Sequence, residues 1–136
     1  GLLRTAEVLE LALEAAIAAR EGDDERAVDL MERATAIEAA MPLDYGPPDI
    51  VKPSHELYGE MLLAMERPER AAKQFETALS RAPRRTLSLV GLATAAAAGG
   101  RSDTLAEACD ELEETLRASA ASPPAACGAA PTVAMP

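Results

Sequence analysis

The chain has one histidine, His55, and two cysteines, Cys109 and Cys127. Ser–His–Asp and Cys–His arrangements therefore have only one base to draw on. There is no Cys-x-x-Cys and no histidine pair, so a zinc site built from this chain alone is not expected. A glycine-rich phosphate loop is also missing. No stretch approaches the roughly 18 apolar residues that cross a bilayer. Positive charge is scarce, with 13 Lys and Arg against 23 Asp and Glu, a net charge of −10. Nucleic acid and anionic membranes both call for a positive surface and are not expected partners. The acidic runs Glu21–Glu25 and Asp110–Glu114 lack the alternating oxygen ligands and central glycine of a calcium loop and read as solvated helix faces. No enzyme activity, metal or cofactor is expected. Aromatic residues are rare as well, one Phe and two Tyr with no Trp.

What is present is alanine and leucine. Apolar residues make up 49% of the chain, and most are these two strong helix formers. A length of 136 residues suits one domain. Its core would be thin, because alanine buries little area.

The breakers mark six helices. The first is Leu2–Arg20, with Val8, Leu11, Ala15 and Ala18 on one face, broken by Glu21-Gly22-Asp23. The acids Asp23, Asp24 and Glu25 suit the positive start of a second helix, which runs to about Met41 with Ala27, Leu30, Met31, Ala34 and Ile37 inward. Pro42, Pro47 and Pro48 forbid helix through an insert, 42–51. Pro53 and Ser54 open the third helix. Pro68 fits the first turn of the fourth, on which Phe75 and Leu79 face inward. Thr86–Ala98 is the fifth, ended by Gly99-Gly100, and Ser102 or Asp103 can cap the sixth. Beyond Ser119, residues 120–136 form a low-complexity Ala/Pro tail with almost no charge, and Cys127 should be exposed there. A disulfide to Cys109 would need the tail to fold back, which nothing in the sequence requires. Cys109 itself falls on an apolar stripe and reads as a buried structural thiol.

Residues Lys52 to Arg85 carry a denser pattern. Gly59, Ala71, Phe75, Ala78 and Pro83 follow at separations of 12, 4, 3 and 5. Gly59 and Ala71 allow two antiparallel helices to approach closely. Phe75 fills the space beside them, Ala78 admits a neighbour, and Pro83 ends the helix. This skeleton resembles the tetratricopeptide repeat (TPR), a 34-residue helix–turn–helix unit. Shifting by 34 residues gives a third unit at 86–119, in which Leu105, Cys109 and Leu112 take the places of Ala71, Phe75 and Ala78. A first unit fits 8–41 through Ala27, Met31 and Ala34. The resemblance implies an all-α, right-handed solenoid of three repeats within residues 1–119.

It also implies a function, binding of a peptide or helix of a partner protein in the concave groove of the first helices. Carried onto this chain, the groove positions are Leu9, Ala12, Ala16 and Ala19, then Glu56, Glu60 and Leu63, then Leu87, Val90 and Thr94. The groove is expected to be apolar, with an acidic centre that attracts Lys or Arg. One TPR subtype clamps chaperone C-terminal carboxylates with Lys and Asn at these places. Here they are Ala12, Ala16, Glu56 and Glu60, which argues against that ligand.

Two other readings stand beside this one. A small-molecule or metal site could form around His55, Glu38, Glu56 and the insert, or the chain could be the terminal part of a larger repeat enzyme or scaffold. Gly1 in place of an initiator Met suggests a processed chain or fragment, and a cytoplasmic location is expected. The bland reading of His55 is an imidazole tucked under the insert and bonded to its backbone. Arg81, Arg84 and Arg85 read as favourable charge at a helix C-terminus. The insert is expected to be ordered, burying Leu43, Tyr45, Ile50 and Val51. The tail is expected to lie on apolar surface, its own or that of a neighbour in a homodimer.

Overall fold

Six main helices and one short one account for the regular structure of a computed structural model that describes residues 1–43 and 50–128. Tyr45, most of the insert and the last part of the tail lie outside the described residues. The helices are α1 (Leu2–Arg20), α2 (Asp24–Ala40), α3 (Ser54–Ala64), α4 (Pro68–Arg81), α5 (Thr86–Ala98), α6 (Ser102–Leu116) and α7 (Ala125–Gly128). There is no strand among the described residues.

The helices pack as consecutive antiparallel pairs, α1 with α2, α3 with α4 and α5 with α6. The second pair joins the third mainly through α4 and α5, and first helices also meet, α1 with α3 and α3 with α5. Asp23 caps α2 by accepting the Arg26 N–H at 3.2 Å, and Pro68 occupies the first turn of α4. The cap of α6 differs from the sequence reading. Arg101 takes the cap position without a side-chain bond, and Ser102 and Asp103 already belong to the helix.

The turns inside the pairs are copies of one another. The Asp23 N–H reaches Ala18 O at 2.9 Å, that of Arg67 reaches Leu62 O at 2.9 Å, and that of Arg101 reaches Ala96 O at 2.8 Å. In each case the preceding residue has positive φ: Gly22 (80°), Glu66 (59°) and Gly100 (70°). This is the Schellman helix end, which satisfies the orphan carbonyls of a last turn through one left-handed residue. The three copies fall 44 and then 34 residues apart, the first interval being longer by the ten-residue insert.

The core is a continuous row of small and medium side chains from Val8 and Leu11 to Ala108 and Leu112. Its tightest point is Phe75, which is fully buried. The ring lies between Gly59 of α3 and Gly91 of α5. A Cβ on Gly59 would fall 2.7 Å from the ring tip, and one on Gly91 would overlap the ring. The ring cannot swing away from one glycine without meeting the other. Gly59 is visible in the sequence skeleton, whereas Gly91 escaped it because it belongs to the next unit.

The tail is not free. Cys127 is disulfide-bonded to Cys109, so neither thiol is free, and α7 packs on α5 and α6. Ala126 and Cys127 meet the core there, which corrects the expectation of an exposed Cys127. So short an element carries no periodic signal in the sequence. Cys109 sits half-buried on α6 rather than deep in the core, because among the described residues the short α7 is what covers α6 on that side. The insert also departs from expectation. Ile50 is buried, but Leu43 and Val51 are 73% and 76% exposed.

Replacing Phe75 with Ala should cost about 3–5 kcal/mol in urea unfolding, and Gly91→Ala about 1–3 kcal/mol. In the Phe75→Ala background the Gly91→Ala cost should largely vanish, because the clash partner is gone; additive costs would contradict the wedge. Glu66→Gly should raise stability by about 0.5–1 kcal/mol, because only glycine takes positive φ without penalty.

Candidate functional site

The most concentrated chemistry in the described structure is a charge cluster where α3 meets the start of α5. The Glu56 side chain is fully buried in the first turn of α3. Arg85, the residue before α5, grips it with both arms of its guanidinium: Nε donates to Oε2 at 2.7 Å and Nη2 to Oε1 at 3.0 Å. The Ser88 hydroxyl donates to Oε2 as well. Lys52 Nζ stands 3.5 Å from Glu56 Oε1 and 2.7 Å from Glu60 Oε1. Arg85 Nη2 also donates to Val51 O at 3.3 Å, so the same arginine holds the end of the insert.

Burial alone would push the Glu56 carboxyl up, since it removes the charged form from water. The hydrogen bonds from Arg85 and Ser88, with the charges of Arg85 and Lys52, outweigh it and hold the carboxyl below its ordinary value. The Glu56 bonds in turn raise Arg85. A buried carboxylate this fully satisfied is a structural clasp, because a ligand would have to displace bidentate bonds in a dry site.

A second polar group lies between α2, α3 and α4. The buried Tyr58 hydroxyl donates to Glu32 Oε1 at 3.3 Å and accepts from Arg70 Nη2 at 3.1 Å. Burial pushes the phenol up, with Glu32 adding and Arg70 opposing, so it stays protonated. Beside it His55 Nδ1 lies 2.8 Å from Gln74 Oε1. These side chains, with Thr35 and Lys73, line an open cleft of about 360 Å³.

The residues proposed for a ligand site around the insert do not converge. His55 bonds to α4 rather than to the insert backbone, which corrects that expectation. Glu38 caps α3, its Oε2 accepting the Ser54 N–H at 2.7 Å, and Glu56 faces Arg85. No grouping of three or more His, Cys, Asp or Glu among the described residues could hold a metal.

The groove positions divide. Leu9, Leu87 and Thr94 are exposed, while Ala12, Ala16, Ala19, Glu60, Leu63 and Val90 are half-buried. Glu56 is withdrawn from the surface altogether. The expected acidic centre is therefore neutralised from within, by Arg85 on Glu56 and Lys52 on Glu60. Sequence reasoning missed this because it placed Arg85 at the end of one helix, when it stands at the start of the next. The three arginines are all committed: Arg81 donates to Ala39 O at 3.2 Å, Arg84 pairs with Glu114 at 3.0 Å, and Arg85 holds Glu56. The usable signal was the i, i+4 pair Lys52–Glu56, followed later in the chain by the adjacent arginines Arg84 and Arg85.

Because the folded carboxyl lies below its ordinary value near 4.5, its stabilisation is complete above that pH and is lost as the pH falls through the lowered value. The stability gap between wild type and Glu56→Gln should therefore be widest near neutrality and close in stronger acid. Arg85→Ala should cost about 3 kcal/mol, the low end for stranding a buried charge, since Lys52 remains nearby. A gap independent of pH in urea titrations would contradict the clasp.

No family model matches the chain, and no curated protein or solved structure matches it either.

Proposed function

We propose that the chain is a TPR-like three-unit helical stack that binds a peptide or helix of a partner protein on the face formed by α1, α3 and α5. The observation that carries this reading is the thrice-repeated helix end, with the same bonds and the same left-handed residue in register. Supporting it, each first helix meets the next, and the Phe75 wedge with its two glycines follows the close-approach logic of the repeat. Neighbouring units that bury one another leave one continuous face free for a ligand.

Glu60, Leu63, Leu87, Val90 and Thr94, together with Leu9, Ala12 and Ala16, are the side chains available on that face. With Glu56 and Glu60 already paired, apolar contact rather than charge should supply affinity, so the ligand is an apolar peptide or helix more than a basic one. Activity as an enzyme is not part of this reading. No helix among the described residues is long and apolar enough to cross a membrane. The Cys109–Cys127 disulfide fits an oxidising compartment better than the reducing cytoplasm.

Peptides selected from a random library on the immobilised protein test the reading. Their binding should weaken about tenfold on Leu63→Ser or Leu87→Ser, the scale of losing one apolar anchor. Selected peptides that ignore both changes and lose affinity on Arg70→Ala would move the site to the His55 cleft.

A further inference from the structure

Two crevices between successive helix pairs are register copies of one another. One is the cleft of about 360 Å³ between α2, α3 and α4. The other, of about 240 Å³, lies between α4, α5 and α6. The intervals of 44 and 34 residues between the repeated helix ends carry Thr35 of the first crevice onto Leu79. They carry His55, Tyr58, Arg70, Lys73 and Gln74 onto Leu89, Leu92, Thr104, Glu107 and Ala108. All six of these equivalents line the second crevice.

The copies hold opposite chemistry. Where the second has three leucines and an alanine, the first has a hydroxyl, an imidazole, a phenol and an amide. Where the second has Glu107, the first has Lys73. Leu89, Leu92 and Ala108 are buried, so this fold closes the crevice with aliphatic side chains at those positions. Aliphatic packing there carries no desolvation cost, whereas a polar lining has to find partners. The polar set beside α2 is therefore not a requirement of the stack.

We propose that the cleft between α2, α3 and α4 binds a small organic anion, a carboxylate or phosphate carried on a hydroxyl-bearing body. Arg70 and Lys73 supply the charge. Arg70 spends one arm, Nη2, on Glu32 Oε1 at 3.4 Å and on the Tyr58 hydroxyl at 3.1 Å. A guanidinium has further N–H donors, and its fork takes an oxyanion through two of them at once. Lys73 has no ion pair among the described residues. Glu32 is taken up by Arg70 and Tyr58, so two cations stand against one engaged carboxylate. The body of the ligand falls to His55 and Gln74. Their bond, Nδ1 to Oε1 at 2.8 Å, leaves the imidazole Nε2 and the Gln74 amide nitrogen for hydroxyl groups. The volume stands at the lower end of small-molecule pockets, which begin at about 300 Å³. None of these side chains belongs to the groove, because His55 and Tyr58 turn to α4 and α2.

The chain has one histidine, so its imidazole proton signal in NMR reports this cleft alone. Gluconate, glucose 6-phosphate, inorganic phosphate and glucose are titrated at fixed pH and ionic strength. Gluconate or glucose 6-phosphate should shift the His55 signal saturably, and the stronger of the two tells carboxylate from phosphate. Inorganic phosphate and glucose, each with half of the chemistry, should bind at least about tenfold more weakly. At a net charge of −10 the chain draws no anion in general, so saturation locates a site. Lys73→Met, at an exposed position, should weaken binding at least about tenfold, the scale of one charged hydrogen bond. His55→Leu with Gln74→Ala copies the second crevice; it should keep the urea midpoint and lose binding in calorimetry. A lowered midpoint would make the pair a support of the fold, and unchanged affinity in either variant would place the anion elsewhere; each result overturns the proposal. So would a His55 signal that ignores all four probes, or inorganic phosphate that binds as tightly as the organic anions, an adventitious ion only. Binding that disappears with Leu87→Ser would put the anion in the groove and overturn the site, while the peptide reading of the groove stands or falls on its own selection.

Discussion

The spacing of three helices depends on one aromatic ring. Phe75 is the only phenylalanine in the chain, and it is the largest apolar filler at the centre of an otherwise small-residue core. With Gly59 on one side and Gly91 on the other, it sets how closely α3 and α5 approach α4. Interiors pack like crystals, so a filler confined from both sides fixes position far more sharply than an alanine contact can. The many alanines around it, Ala71, Ala72, Ala78, Ala93 and Ala95, make sense in that light. They keep the backbones near enough for one ring to touch both neighbours.

Electrostatics does a different job. Glu56, Arg85, Ser88 and Lys52 join the first turn of α3, the approach to α5 and the end of the insert in one knot. Such a knot adds little net stability over an apolar plug of the same volume. What it adds is geometry, because a bidentate carboxylate–guanidinium pair accepts only one arrangement of its carriers. The segment before α3 is positioned by this knot, by Glu38 on Ser54 and by the buried Ile50.

The helices were legible in the sequence because their ends are written in strong local signals: Pro53, Pro68 and Pro83 restrict the backbone, and Gly22 and Gly99-Gly100 open it to helix-ending conformations, whatever surrounds them. The Phe75 wedge was half legible. Gly59 stands in the same unit, but Gly91 pairs with the ring only through the stacking of the next unit. Glu66 in the left-handed turn was illegible, since a charged residue carries no such preference and adopts it only under the pull of the surrounding helices. The burial of Glu56 was illegible for a similar reason, because charge predicts exposure until the partner is located in space. The tail anchor turned on whether Cys109 and Cys127, 18 residues apart, meet, and spacing alone leaves that open.

The two junctions between helix pairs expose their polar links to water to different degrees. The α4–α5 junction is apolar and centred on Phe75. The junction of the first pair with the second carries a line of polar links: Glu25 with Arg67, Glu32 with Arg70 and Tyr58, Glu38 with Ser54, and Arg81 with Ala39 O. Several of these are solvent-facing and are weakened by salt. Salt therefore bears on the first junction more than on the second, where the Glu56 carboxylate that meets Arg85 is withdrawn from water.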